Sequence, residues 1–107
     1  MLSLVADSYT IPDLKTDSEL DAHILTLRDQ LDEVDREMVR ALNQRARLVQ
    51  ELASIKREAG EQLYDPKREE EILQRVAEEN PGPIYDSTMR EIFEIVMHHI
   101  RDIESEI

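Results

Sequence analysis

At 107 residues the chain amounts to about one small domain, which excludes any reading that needs a large α/β scaffold. Charged residues make up 36% and hydrophobic residues 40%, the balance of a folded, well-solvated protein. With 2 Gly, 4 Pro, no Trp and only Tyr9, Tyr64, Tyr85 and Phe93 as aromatics, the chain has too few turn residues and β-formers for a sheet, so an all-α fold is expected. The net charge of −12 repels a phosphate backbone and an anionic membrane surface alike, so neither nucleic acid nor membrane is an expected partner. The absence of cysteine excludes disulfides, thiolate zinc sites and a cysteine nucleophile. Together with an opening segment that has no basic n-region or long apolar run, it gives a cytoplasmic expectation.

In chain order, residues 1–17 mix isolated apolar residues with Pro12 and show no period, so they read as an N-terminal tail or docking arm. Thr16 followed three residues later by Glu19 has the form of a capping box, and no Pro or Gly intervenes from there to Gly60. The spacing predicts one helix of about forty residues, about 60 Å long, more than a domain of this size is wide. Along it Leu20, Ile24, Leu27, Leu31, Val34, Met38, Ala41, Arg45, Leu48, Leu52 and Ile55 alternate steps of four and three, a heptad seam with one charged residue in it. A seam this long needs a partner outside the monomer. Gly60 is placed to end the helix, and Asp65-Pro66 to cap and start a short second one that stops before Asn80-Pro81-Gly82-Pro83. Asp86 or Ser87 is expected to cap a third, whose stripe is Met89, Ile92, Phe93, Val96, Ile100, Ile103 and Ile107.

The charges on this framework carry the functional argument. Arg45 occupies a seam position, where a buried guanidinium costs several kcal/mol unless an anion meets it. Val49, Leu52 and Lys56 share its face, Lys56 lying about three turns further on. Arg28 sits beside the seam but seventeen residues earlier, about 25 Å along the rod, too far for one metabolite to span. Antiparallel pairing of two long helices would bring the Arg28 end of one subunit to the Arg45–Lys56 region of the other and form a composite site. Residues 28–57 carry 7 Lys plus Arg and 6 Asp plus Glu, while the rest of the chain is strongly acidic. Two readings of Arg45 are open: an anion site, or a polar seam residue that pairs with a carboxylate and sets register.

Asp65-Pro66-Lys67-Arg68-Glu69 is a second cluster, where a helix N-terminus, the Arg68 cation and the Glu69 acceptor meet; its other reading is a capped, solvated first turn. His98-His99 is weaker. Neither follows a Glu by three residues, and Glu94, His98 and Asp102 read as a solvated stripe, so no metal is implied. No Gly-rich phosphate loop and no nucleophile signature occurs.

The runs Leu27-Arg28-Asp29-Gln30-Leu31-Asp32-Glu33-Val34-Asp35, Asn43-Gln44-Arg45-Ala46-Arg47-Leu48-Val49, Ile55-Lys56 and Tyr64-Asp65-Pro66-Lys67-Arg68-Glu69 together resemble the all-helical, AroQ-class chorismate mutases over residues 18–107. The resemblance implies an intertwined helical homodimer with shared active sites, working on chorismate without a cofactor or metal. It implies that Arg28 serves the partner's site, and that Arg45, Lys56, Asp65, Arg68 and Glu69 serve the site of their own chain. Glu104 matches a position that is Gln in some members and Glu in others, and Ile100 stands where many have a serine that helps hold a substrate carboxylate. Lys56, Glu104 and Arg45 are thus the expected catalytic residues, with Leu52 among the substrate-binding ones. Tyr64 to Glu69 and Ala77 to Pro83 look most like mutase modules fused ahead of a 3-deoxy-arabino-heptulosonate-phosphate (DAHP) synthase, which names a DAHP synthase as a candidate partner. Two alternatives stand beside this one: a mutase or lyase for isochorismate or the 4-amino analogue, and a non-catalytic helical regulator that binds a partner synthase.

Overall fold

The computed structural model describes residues 16–106, and the side chains of 16–101. The arm expected over 1–17 lies outside the described residues up to residue 15, as do the side chains of Asp102, Ile103, Glu104 and Ile107. Three helices follow in order, α1 (Asp17–Glu58), α2 (Pro66–Glu79) and α3 (Asp86–Glu106), with no strand among the described residues.

Each helix end has a local cause. Thr16 Oγ1 accepts the Glu19 N–H at 3.1 Å, which satisfies one of the orphan donors at the start of α1. At the other end Gly60 takes φ 74°, its N–H reaching the Arg57 carbonyl (3.1 Å) while the Glu61 N–H reaches that of Lys56 (2.8 Å). That pair of bonds is a Schellman motif, and the left-handed residue it needs is why glycine stands there. Asp65 caps α2 through Oδ1 on the Arg68 N–H (3.1 Å), with Pro66 at the first helical position, where no N–H is missed.

The start of α3 differs from expectation. Asp86 and Ser87 are both already helical, the Tyr85 carbonyl accepts the Met89 N–H (3.0 Å), and the Asp86 carboxylate is held by Asn80 Nδ2 at 2.8 Å. Asn80 outcompetes the cap because it staples the whole turn: it also donates to the Ile84 carbonyl (2.7 Å) and accepts from the Gly82 N–H (3.2 Å).

The chain divides into two units, Met1–Met38 and Val39–Ile107. In the first, Leu20, Ile24, Leu27, Leu31, Val34 and Met38 are all exposed, so the predicted seam is helical and uncovered. In the second, a small core joins α2 to α3: Ile72, Leu73 and Met97 are buried, with Val76 and Phe93 packed against them. Arg90 adds an ion pair to Glu70 across the two helices (3.1 Å). The part of α1 in this unit shows two faces. Arg45, Ala46, Val49 and Lys56 are half-buried and Ala53 fully so, whereas Leu42, Leu48, Leu52 and Ile55 stay exposed. Arg45, Val49, Ala53 and Lys56 fall within about 80° of helical arc, so a single stripe is turned inward and the seam leucines lie along its side.

Candidate active site

Within the second unit, α1, α2 and α3 border a cleft of about 340 Å³. From α1 come Arg45, Leu48, Val49 and Leu52; Leu63 and Asp65 come from the connecting loop; Arg68, Glu69, Ile72 and Arg75 come from α2, and Met97 and Arg101 from α3. Four guanidinium groups and two carboxylates therefore share an otherwise apolar wall. Both carboxylates are already engaged. Asp65 holds the first turn of α2, and Glu69 Oε2 accepts from Arg101 Nη1 at 2.6 Å. The cleft thus offers more positive charge than the chain neutralises.

Arg45 feels this directly. Its pKa is lowered, first by burial and then by Arg68 and Arg75, against which Glu69 only partly compensates. A guanidinium stays protonated regardless, so the shift measures how poorly its charge is matched here. Arg68 is exposed, and its Nη1 lies 3.9 Å from Glu71 Oε1, a loose surface pair that leaves the guanidinium available. An anion entering the cleft meets Arg45 and Arg68 together.

The structure places the expected residues unevenly. Arg45, Leu52, Asp65, Arg68 and Glu69 border one cleft. Lys56 is half-buried on the inward stripe, but its Nζ donates to the Gln62 carbonyl at 3.2 Å, bracing the loop, and it does not line the cleft. Ile100 is half-buried on α3 and also lies outside the lining. Arg28 is an exposed residue of the first unit. The Glu104 side chain falls outside the described residues. His98 is exposed, as expected of a solvated stripe, and its Nε2 sits 3.6 Å from Glu69 Oε1. Glu69 faces it across the helix pair, a partner that no spacing within α3 could reveal.

Arg75 and Arg101 line the cleft as well, beyond the residues expected there. Both carried a signal, since Arg68, Ile72 and Arg75 follow i, i+4, i+7 spacing and Phe93, Met97 and Arg101 follow i, i+4, i+8. Ile72 and Met97 line the cleft too, and Arg75 and Arg101 extend their rows along it. Among the described residues no group of three or more His, Cys, Asp or Glu is placed to hold a metal ion.

The guanidinium-rich, partly apolar cleft has the chemistry that suits a small polycarboxylate. Residues 27–105 match the Chorismate mutase type II family. The structure is similar to that of chorismate mutase (Form I) from Thermus thermophilus, with 45% identity and a TM-score of 0.72 over 73% of this chain and 98% of that one. The chain belongs to the type II chorismate mutase family. It is also similar to two bifunctional chorismate mutase/prephenate dehydratases. That of Neisseria gonorrhoeae is 29% identical over 85 residues, and that of Aquifex aeolicus 33% identical over 79 residues. These segments cover 79% and 74% of this chain but only 23% and 21% of the two bifunctional proteins. Among the described residues no helix is long and apolar enough to cross a membrane.

Proposed function

We propose that the chain converts chorismate to prephenate, the isomerase step that leads toward phenylalanine and tyrosine. The observation that carries this reading is the convergence of Arg45, Arg68 and Glu69 on one cleft in a member of this family. Chorismate is a dicarboxylate with a ring hydroxyl and an enolpyruvyl ether. In its rearrangement the ether C–O bond breaks as a C–C bond forms between the enolpyruvyl methylene and the ring, with no proton gained or lost. Such a reaction needs no acid, base or nucleophile. It needs the chair-like conformer held, and donors where negative charge grows on the ether oxygen.

In this reading Arg45 and Arg68 take the carboxylates and Glu69, near the Asp65-capped turn, accepts the ring hydroxyl. Leu52, Val49 and Ile72 exclude water from the reacting face. Lys56 is the donor to the ether oxygen: substrate competes with the Gln62 carbonyl for an ammonium already within one side chain's reach of the inward stripe. Glu104, protonated, is the second donor, and Ile100 stands where many members of the family place a carboxylate-binding serine.

Two long helices pairing antiparallel supply what one chain lacks. The exposed Leu20, Ile24, Leu27, Leu31, Val34 and Met38 are the apolar face of such a homodimer, and they support a shared site to which Arg28 of each subunit contributes across the interface. The likeness of 64–69 and 77–83 to synthase-fused modules supports a DAHP synthase as a further partner. The cysteine-free composition supports a cytoplasmic setting.

The test is to incubate purified protein with chorismate, following its absorbance and identifying the product. Prephenate supports the reading. Turnover of isochorismate or the 4-amino analogue in preference to chorismate would move the assignment to a relative of this substrate. No turnover of any of them would replace it with a non-catalytic regulator.

A further inference from the structure

Glu69 is the one cleft carboxylate not committed to a backbone cap, and the fold invests three side chains from other segments around it. Arg101 Nη1 donates to Oε2 at 2.6 Å, with about a quarter of each side chain exposed. The Arg101 guanidinium is itself laid over the Tyr64 ring, its carbon 4.4 Å from the centroid. His98 Nε2 faces the other oxygen, Oε1, at 3.6 Å. Residues 64, 69 and 101 come from the loop, α2 and α3 respectively, so the arrangement closes only in the folded unit.

A charged hydrogen bond this short fixes a carboxylate's rotamer, and the aromatic face beneath the guanidinium restricts Arg101 in turn. A surface ion pair would contribute little, but this one is partly shielded and both partners line the cleft. Arg101 engages a single oxygen of Glu69. The second oxygen, beyond hydrogen-bond distance from His98, keeps its acceptor capacity for a ligand.

We infer that Arg101, seated on Tyr64, is a positioning residue: it sets the Glu69 carboxylate so that its second oxygen accepts the ring hydroxyl of the substrate. The inference rests on the proposed chorismate reaction. It assigns the hydroxyl, not a carboxylate, as the group through which Arg101 acts. The cost of losing Arg101 must therefore depend on that hydroxyl and on Glu69.

The experiment compares wild type, Arg101→Met, Glu69→Gln and the double variant on chorismate and on the analogue lacking the ring hydroxyl, with melting temperature recorded for each. Arg101→Met should lose about tenfold in kcat/KM on chorismate, the usual loss for one charge-assisted positioning contact. The loss should shrink to less than about twofold on the deoxy analogue and in the Glu69→Gln background. Equal losses on both substrates, or additive losses in the double variant, would overturn the inference and leave Arg101 a merely structural residue. If Arg101→Met fails to fold, Arg101→Lys and Tyr64→Leu are read the same way: each loses a smaller factor that must vanish on the deoxy analogue, and persistence there overturns it. A wild-type protein without prephenate formation would instead overturn the proposed function, a result distinct from active protein with additive losses.

Discussion

Arg45→Met separates the two possible reasons for a guanidinium on an apolar helix stripe. The substitution keeps the apolar stem and removes the charge. Arg45 is half-buried, and its surroundings disfavour the cation, with burial first, then Arg68 and Arg75, outweighing Glu69. Removing the charge relieves that mismatch. Solvent reaches the group, so the relief is screened to about 1 kcal/mol or less, which in a chain of this size is a melting-temperature rise of no more than about 4–8 °C. The functional effect has the opposite sign. Once bound substrate covers the guanidinium, the carboxylate it holds is worth about 2–5 kcal/mol when one partner is truncated, so kcat/KM should fall by about 30-fold to 4,000-fold. Chorismate turnover at matched protein concentration gives the second figure and thermal melts the first. Melts repeated with a non-reacting dicarboxylate analogue at a hundred times its Kd should show about 2.7 kcal/mol of added stability in wild type and almost none in the variant. A variant that melts ten degrees lower while keeping full activity would refute the argument and make Arg45 a register residue paired with a carboxylate.

Three further outcomes are expected. Asp65→Ala removes the cap on the Arg68 N–H and should cost about 1 kcal/mol in denaturant unfolding. It should also raise KM, because the frayed first turn carries Arg68 and Glu69; unchanged stability would take Asp65 out of the cap. Mixing an Arg28→Ala subunit with an Arg45→Ala subunit should restore part of the activity that each homodimer lacks, since one of the two sites in the heterodimer then keeps both arginines. No recovery despite proven subunit exchange would remove the shared site. As the proposed second donor, Glu104 could donate only when protonated, so kcat should fall with rising pH and Glu104→Gln should flatten that decline while keeping substantial activity. Parallel profiles would remove Glu104 as the donor.

What the sequence made legible was local. Thr16, Gly60, Asp65 and Pro66 mark helix ends through contacts within six residues, and each does in the structure what its position implied. The α1 seam was readable for the same reason, because a period of 3.5 is written in consecutive residues. Asp86 failed as a cap because its competitor, Asn80, lies across a turn whose path the propensities do not encode. Arg101 and Glu69 are 32 residues apart, and each brings a near neighbour in sequence to the meeting, His98 from α3 and Tyr64 from the loop before α2. Nothing in the order of residues announces that meeting. Arg45, Arg68 and Glu69 were found through resemblance and charge placement, whereas Arg75 and Arg101 depended on which ends of the α2 and α3 rows open toward the cleft.

In the homodimer proposed above, the uncovered apolar row of α1 would also turn folding into a matter of mass action. Leu20, Ile24, Leu27, Leu31, Val34 and Met38 each keep at least 38% of their surface in water, and returning one such side chain to an apolar setting yields roughly 1 kcal/mol. If a second copy supplies that setting, the melting temperature becomes a logarithmic function of protein concentration. Dilution into an assay then removes helix and active site together, as a loss of specific activity that added protein reverses. In such a dimer, concentrated protein would hold the site together where dilute protein would lose it.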